Sequence, residues 1–236
     1  MLSARRVLIM AEMHGRDLLR RRAALLLLIA LPLAFYLSAG RTARFSVTAG
    51  GVGMAFAIAG ATLFSTLSSA EVDQRLVLGG YRPAELLLGR LLFLGPLGLV
   101  IAGAFSVMMV GFADPVKPWL LVLGVALVAL QSVPLGLAVG TGVARELEGT
   151  LVIIGVVGIQ MAAAPDSMVA KVLPFYQPQQ LIIAGVDGQG PVLWPLFWTM
   201  VYGLALLALA RIFVGSRLDV AARRARDERV EAPSPS

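Results

Sequence analysis

The residues of this chain that could carry covalent or metal chemistry are few and do not converge. There is one histidine, His14, and no cysteine, which excludes disulfides, thiolate catalysis and cysteine-ligated metals. A metal at His14 would have to take its other ligands from carboxylates, and none of these cluster inside the apolar segments. No histidine pair, no Gly-x-Ser-x-Gly and no pair of aspartates within an apolar run is present, so no enzyme constellation assembles. A phosphate-cradling Gly-x-x-x-x-Gly-Lys needs a hydroxyl residue after the lysine. Here Lys117 precedes Pro118 and Lys171 precedes Val172, so the chain has no nucleotide site of its own. Two polar groups remain. One is a charged set, Glu71, Asp73, Arg75 and Arg82, which a turn between apolar runs would offer to a partner. The other is a sparse series of hydroxyls and amides within apolar runs: Thr62, Ser65, Thr66, Ser68, Ser69, Gln131, Ser132 and Gln160. These either line a pathway for an amphipathic substrate or make helix-to-helix hydrogen bonds worth about 0.6 kcal/mol each.

The elements that must hold these residues are membrane helices. Of 236 residues, 58% are hydrophobic and only 14% charged, with a mean hydropathy of +0.84, far from the composition of soluble domains. The net charge of +6 and pI near 10.5 do not point to nucleic acid, because the charges fall between apolar runs rather than on one face. A span needs roughly 20 mainly apolar residues to cross about 30 Å of hydrocarbon. Six runs qualify: Ala23 to Ala39, Val47 to Ala70, Leu91 to Phe112, Trp119 to Val143, Leu147 to Ala164 and Leu193 to Val214. The fifth is short and ends at Pro165-Asp166, where an irregular or broken helix is expected. The expected fold class is therefore all-α membrane protein with six transmembrane helices. Its expected domains are a connecting helix over residues 1–22, a six-span domain over 23–216 and a basic tail over 217–236, the tail reading as a surface helix that fades into disorder.

Basic residues mark the cytoplasmic side of short loops. With the N-terminus inside, fifteen arginines fall on inner segments, among them Arg20-Arg21-Arg22 and Arg223-Arg224. Only Arg41, Arg44, Lys117 and Lys171 fall outside. Both termini are thus expected in the cytoplasm of a cell with the chain in its inner or plasma membrane. The early apolar run follows the arginine triplet without a small-residue cleavage pattern, so it reads as a retained span. Before it, Val7, Met10, Ala11 and Leu18 share one helical side while Arg5, Glu12, Arg16 and Arg20 lie opposite, with Ile9 and Met13 interrupting the polar face. Such a helix either lies in the membrane interface or is a short solvated helix ahead of the span.

The spans hold no Asp, Glu, Lys, Arg or His apart from Arg211 and the end residue Glu148, which disfavours a carrier driven by its own proton relay. Gly51, Ala55 and Ala59, then Gly53, Ala57 and Ala61, recur every four residues, and Gly136 and Gly140 do so in the fourth span. This spacing lets backbones approach closely, either within one subunit or at a dimer seam.

The inner loop from Glu71 to Arg90 is longer than a connection requires. Gly79 and Gly80 end a short charged helix, and Pro83 restarts one where proline is tolerated. Its charges offer either a docking turn or an ordinary solvated loop. The run Arg82-Pro-Ala-Glu-Leu-Leu-Leu-Gly-Arg-Leu91 resembles the entry to the third span of type-2 permease subunits of ATP-binding-cassette exporters, with Glu71 at the position of the acidic residue that opens their coupling loop. Val172-Leu-Pro-Phe-Tyr-Gln-Pro178 and the following Gln-Gln-Leu-Ile-Ile-Ala-Gly185 are similar to the outer re-entrant segment of that family. The amphipathic N-terminal helix resembles its connecting helix. The loop departs from the family in carrying Gln74-Arg75-Leu-Val-Leu-Gly-Gly80 where Gly-Thr-Leu-Glu is usual. The haem-exporter-like membrane subunits of cytochrome c maturation are a related alternative.

The resemblance implies an amphipathic N-terminal interfacial helix, a cytoplasmic coupling helix between spans 2 and 3, and an outer re-entrant segment between spans 5 and 6. It also implies a partner ATPase subunit that binds ATP and Mg and docks on Glu71, Asp73, Gln74, Arg75, Arg82 and Glu85. A second copy of this chain or a paralogue would enclose the pathway, for which Thr62, Ser65, Thr66, Gln131 and Gln160 are the candidate lining residues. A lipid, drug-like amphiphile or hydrophobic peptide would suit such a pathway. The competing reading is a membrane scaffold or assembly protein that transports nothing.

Overall fold

The computed structural model describes residues 4–20, 22–40, 42–163 and 167–231, with side chains for 4–16, 25–40, 42–163 and 167–216. Pro165-Asp166, where the sequence led us to expect an irregular end to the fifth span, and the closing Ala-Pro-Ser-Pro-Ser lie outside the described residues. The described chain is helical throughout, without strands. In order it runs α1 (Ala4–Arg20), α2 (Arg22–Ser38), α3 (Ala43–Ser68), α4 (Ala70–Leu78) and α5 (Pro83–Ala113). There follow α6 (Pro118–Gly142), α7 (Glu146–Ala162), α8 (Met168–Val172), α9 (Tyr176–Asp187) and α10 (Leu193–Glu231).

Four of these helices are long and apolar enough to cross a membrane: Ala43–Ser68, Pro83–Ala113, Pro118–Gly142 and Leu193–Ser216. At about 1.5 Å per residue, α2 and α7, with 17 residues each, fall short of the roughly 30 Å of hydrocarbon. These are the first and fifth of the six expected runs. The apolar stretch of α10 continues without a break into the basic segment as far as Glu231.

The helix ends are closed by local chemistry. Thr42 caps α3 by accepting from the Phe45 N–H at 3.3 Å, and Ser167 caps α8 by accepting from Ala170 at 3.1 Å, the role short hydroxyl side chains perform best. Pro83 and Pro118 open α5 and α6 at positions whose N–H would have no helical partner. Beyond α5 the chain turns at Asp114, and Lys117 N–H then donates to Gly185 O at 2.8 Å, tying the α5–α6 loop to the end of α9.

The bundle is centred on α3 and α6, each with 72% of its apolar window buried, against 28% for α5 and 17% for α10. The outer pair instead present Val100, Val107, Phe112, Phe197, Met200 and Leu204 outward, as helices facing hydrocarbon do. The small residues explain the central contact. A Cβ at Gly136 would collide with the Ala59 carbonyl oxygen, and one at Gly140 would stand 2.9 Å from Thr66 Cβ. On the far side of α3, Gly50 and Gly53 receive Tyr36 and Phe35 of α2. On α6, Gly124 lies against the backbone of α9 at Ile182, and Gly185 of α9 against Leu121. Gly51, Ala55, Ala57 and Ala59 are all buried within this one chain, so both rows of small residues are used for packing inside it.

Gly136→Ala forces α3 and α6 apart and is expected to cost about 1–3 kcal/mol, the range for overpacked cores. Gly103→Ala on α5 meets nothing within 4 Å and is expected to be neutral or slightly stabilising. Thermal unfolding of the two variants in detergent checks the contrast.

Candidate functional site

The densest polar architecture lies where α4 doubles back toward α5. Gly80 ends α4 with φ +89, a conformation that suits glycine and few other residues. Around it, Tyr81 N–H donates to Leu76 O and Gly80 N–H donates to Val77 O, each at 3.0 Å. This paired closure satisfies the last carbonyls of the helix. Two residues on, Arg82 N–H donates to Glu85 Oε2 at 3.0 Å while Glu85 N–H donates to Arg82 O at 2.9 Å, and α5 begins.

Helix α1 is fastened over this turn by one residue. Arg6 Nη1 donates to Gly80 O at 2.7 Å, the guanidinium stands 4.8 Å from the centre of the Tyr81 ring, and it lies 3.7 Å from the Glu85 carboxylate. Glu85 is only 1% exposed, and a buried carboxylate requires such partners. Further along, Met10 fits over Gly89 and Gly15 receives the edge of Phe93. Val7, Met10 and Ala11 thus face α5, the side on which the periodicity grouped them, with His14 buried beside them. Arg5, Glu12 and Arg16 are exposed, the last two bridged at 2.6 Å. Leu8, Ile9 and Met13 remain uncovered by the rest of the chain.

A second lock joins α4 to α5 from beneath. Arg90 is 2% exposed, and its Nη2 reaches Asp73 Oδ2 at 2.5 Å and also donates to Ser69 Oγ. Burial pushes the Asp73 carboxyl above its ordinary range, and the attraction and hydrogen bond of Arg90 pull the other way. A guanidinium cannot shed its proton, so the depth of Arg90 is tolerated only because Asp73 answers it. Thr66, Gln74 and Thr141 line a small cavity of about 60 Å³ beside the pair.

The six docking candidates therefore divide. Glu71, Arg75 and Arg82 are exposed, Gln74 is exposed but borders the cavity beside Arg90, and Asp73 and Glu85 point inward and hold the hairpin together. Arg90, Arg6 and Tyr81 belong to this site although the spacing did not single them out. For Arg90 the available signal was a charge with apolar residues on both sides, Leu86–Leu88 before it and Leu91–Leu94 after.

The five pathway candidates do not share one cavity. Thr62 and Thr66 are buried in the α3–α6 seam, donating to Ile58 O and Thr62 O of their own helix at 2.8 Å, and Ser65 is half-buried one turn away. Gln131 is buried against Gly203 of α10, with no partner for its Nε2 among the described residues. Gln160 lies at the opposite end of the bundle from α4, where its Nε2 donates to Gln179 Oε1 at 3.4 Å. Among the described residues no group of three or more histidine or carboxylate side chains could hold a metal ion. Comparison with protein-family models and with curated proteins finds no match to the chain.

Asp73→Ala leaves the Arg90 guanidinium buried without a counter-charge and is expected to cost about 3–5 kcal/mol. Adding Arg90→Met removes the orphaned charge and is expected to restore most of that loss. Chemical unfolding of the single and double variants measures both.

Proposed function

We propose that this chain is the membrane-spanning permease subunit of an ATP-binding-cassette exporter, moving a hydrophobic or amphipathic substrate with ATP hydrolysed by a separate subunit. The observation that carries the reading is the α4 hairpin. A coupling element has to offer an exposed, specific surface and be stiff enough to pass a push into the spans. The exposed Glu71, Gln74, Arg75 and Arg82 supply the surface, and Asp73–Arg90 and Arg6–Glu85 supply the stiffness from behind. The ATPase partner binds ATP and Mg and acts through the different affinity ATP gives it for two arrangements of the permease pair.

In this reading the second subunit is another copy of the chain or a paralogue. Helices α2 and α7 complete a set of six spans together with the four longer helices, α1 is the interfacial connecting helix, and α8 and α9 form the outer re-entrant segment. The termini and α4 are cytoplasmic in a cell membrane, in keeping with the distribution of arginines. Arg211, on the last apolar stretch and exposed, falls near the inner boundary, where a long cation can reach the headgroups.

Two measurements test the proposal. Purification of the tagged chain from its native membrane is expected to bring down an ATPase subunit, and reversal of both Arg75 and Arg82 to Glu is expected to release it and lower ATP turnover. Recovery of the chain with no ATPase would instead favour a scaffold. For topology, the chain has no cysteine, so single cysteines report cleanly. Gly40→Cys, Asp114→Cys and Gly190→Cys are expected to react with a membrane-impermeant maleimide added outside whole cells. Gly79→Cys and Arg145→Cys are expected to react only after permeabilisation, and the reverse pattern would overturn the orientation.

A further inference from the structure

At the end of the bundle opposite α4, the first turns of α3, the end of α7 and the start of α9 frame a cavity of about 350 Å³, within the range of small-molecule sites. One buried polar atom there has no partner among the described residues: Gln160 is 7% exposed, and its Oε1 accepts no hydrogen bond from them while its Nε2 is engaged with Gln179. A buried acceptor left bare costs about 1–3 kcal/mol, so the position calls for a donor brought in from outside.

The other polar groups define the donor. Thr48 Oγ1 sends its proton to Arg44 O and Phe45 O at 2.9 and 3.0 Å, leaving only lone pairs for a ligand. Gln179 and Gln180 contribute amides, and Thr42 and Tyr176 contribute hydroxyls. Among the described residues, the one charged side chain lining the cavity is Arg44, which is answered by Asp187 at 3.3 Å. With Arg44 paired, the described lining offers neutral donors (the Gln179 and Gln180 amides, the Thr42 and Tyr176 hydroxyls) as well as acceptors (Gln160 Oε1, Thr48 Oγ1), which matches hydroxyl groups, able to do both, better than a phosphate or an ammonium. Ala49, Val52, Met161 and Ile183 supply an apolar wall. Tyr176 and Gln180 also border a second cavity of about 480 Å³ beside Trp194 and Trp198, aromatic residues of the kind that sit at headgroup level.

We infer that this cavity binds a membrane lipid whose head carries uncharged hydroxyl groups, with the buried Gln160 Oε1 accepting one of them and Thr48 Oγ1 a second. The site involves neither α4 nor an ATPase, so binding by the purified chain alone tests it separately from the exporter reading, and each can fail without the other.

The test is native mass spectrometry of the purified chain with equal amounts of a monoglucosyl diacylglycerol, a phosphatidylglycerol and a phosphatidylcholine, all with the same acyl chains. The wild type is expected to retain the glucosyl lipid over phosphatidylcholine. Gln160→Leu is expected to weaken that retention by roughly three- to tenfold, as loss of one net hydrogen bond implies, with phosphatidylcholine binding unchanged. Thr48→Val, a near-isosteric change in an independent helix, is expected to weaken it in the same direction and gives a second reading if Gln160→Leu folds poorly. Equal retention of all three lipids overturns the inference. So does a preference for phosphatidylglycerol that Arg44→Gln abolishes and Gln160→Leu leaves intact.

Discussion

The backbone contact between α3 and α6 sets the geometry on which the rest of the bundle depends. In hydrocarbon there is no apolar driving force between helices, so association relies on close packing, and close packing relies on residues without bulk. Gly136 and Gly140 let α6 lie directly on Ala59 and Thr66 of α3. That closeness decides the fate of the seam's polar residues. With no room for a solvated path between the helices, Thr62 and Thr66 return their protons to carbonyls one turn back. The same device then recruits α2 through Gly50 and Gly53, and α9 through Gly124 and Gly185. Helices α5 and α10 close the outside and turn their larger apolar side chains away from the protein.

Among the described residues, buried charge is handled at the α4 end, and there it forms a mechanical joint. Burying a guanidinium carries a penalty of several kcal/mol unless its partners are in place, so Arg90 can sit under the surface only if α4 folds back far enough to bring Asp73 and Ser69 to it. The fold-back in turn creates the sharp turn at Gly80, whose carbonyl, together with Tyr81 and Glu85, is the seat for Arg6 of α1. Three helices are thereby fixed to one another by two arginines. The charges not used in this joint are left on the outward side, where a partner can reach them.

The opposite end relies on neutral polar groups. Gln160 and Gln179 meet between α7 and α9, and the surface pair Arg44–Asp187 joins α3 to the end of α9. Ion pairs at that exposure contribute little stability, so this end is held mainly by the glycine contacts of α9 with α6. A polar pocket opens there instead of a second charged joint.

Much of this architecture is written in one dimension. Apolar runs with few charges dictate membrane helices because each backbone group must be satisfied within its own segment. Gly79-Gly80 and Pro83 dictate the break between α4 and α5, and the side of α1 that carries Val7, Met10 and Ala11 is legible from periodicity alone. The sequence also limits the chemistry, since the absence of cysteine excludes disulfides and thiolate ligands. Periodicity identifies which residues share a face but not what lies opposite, and the tertiary structure alone decided the pairings. Asp73 and Arg90 are 17 residues apart and Arg6 and Gly80 are 74 apart, so only the folding of α1 and α4 onto α5 turns Asp73 and Glu85 inward while Glu71 and Arg75 stay out. Likewise, a row of small residues fits a seam within one chain as well as one between two chains. The choice is made by which backbone arrives against it, and here those are α6 at Ala59 and α2 at Gly53, both of the same chain.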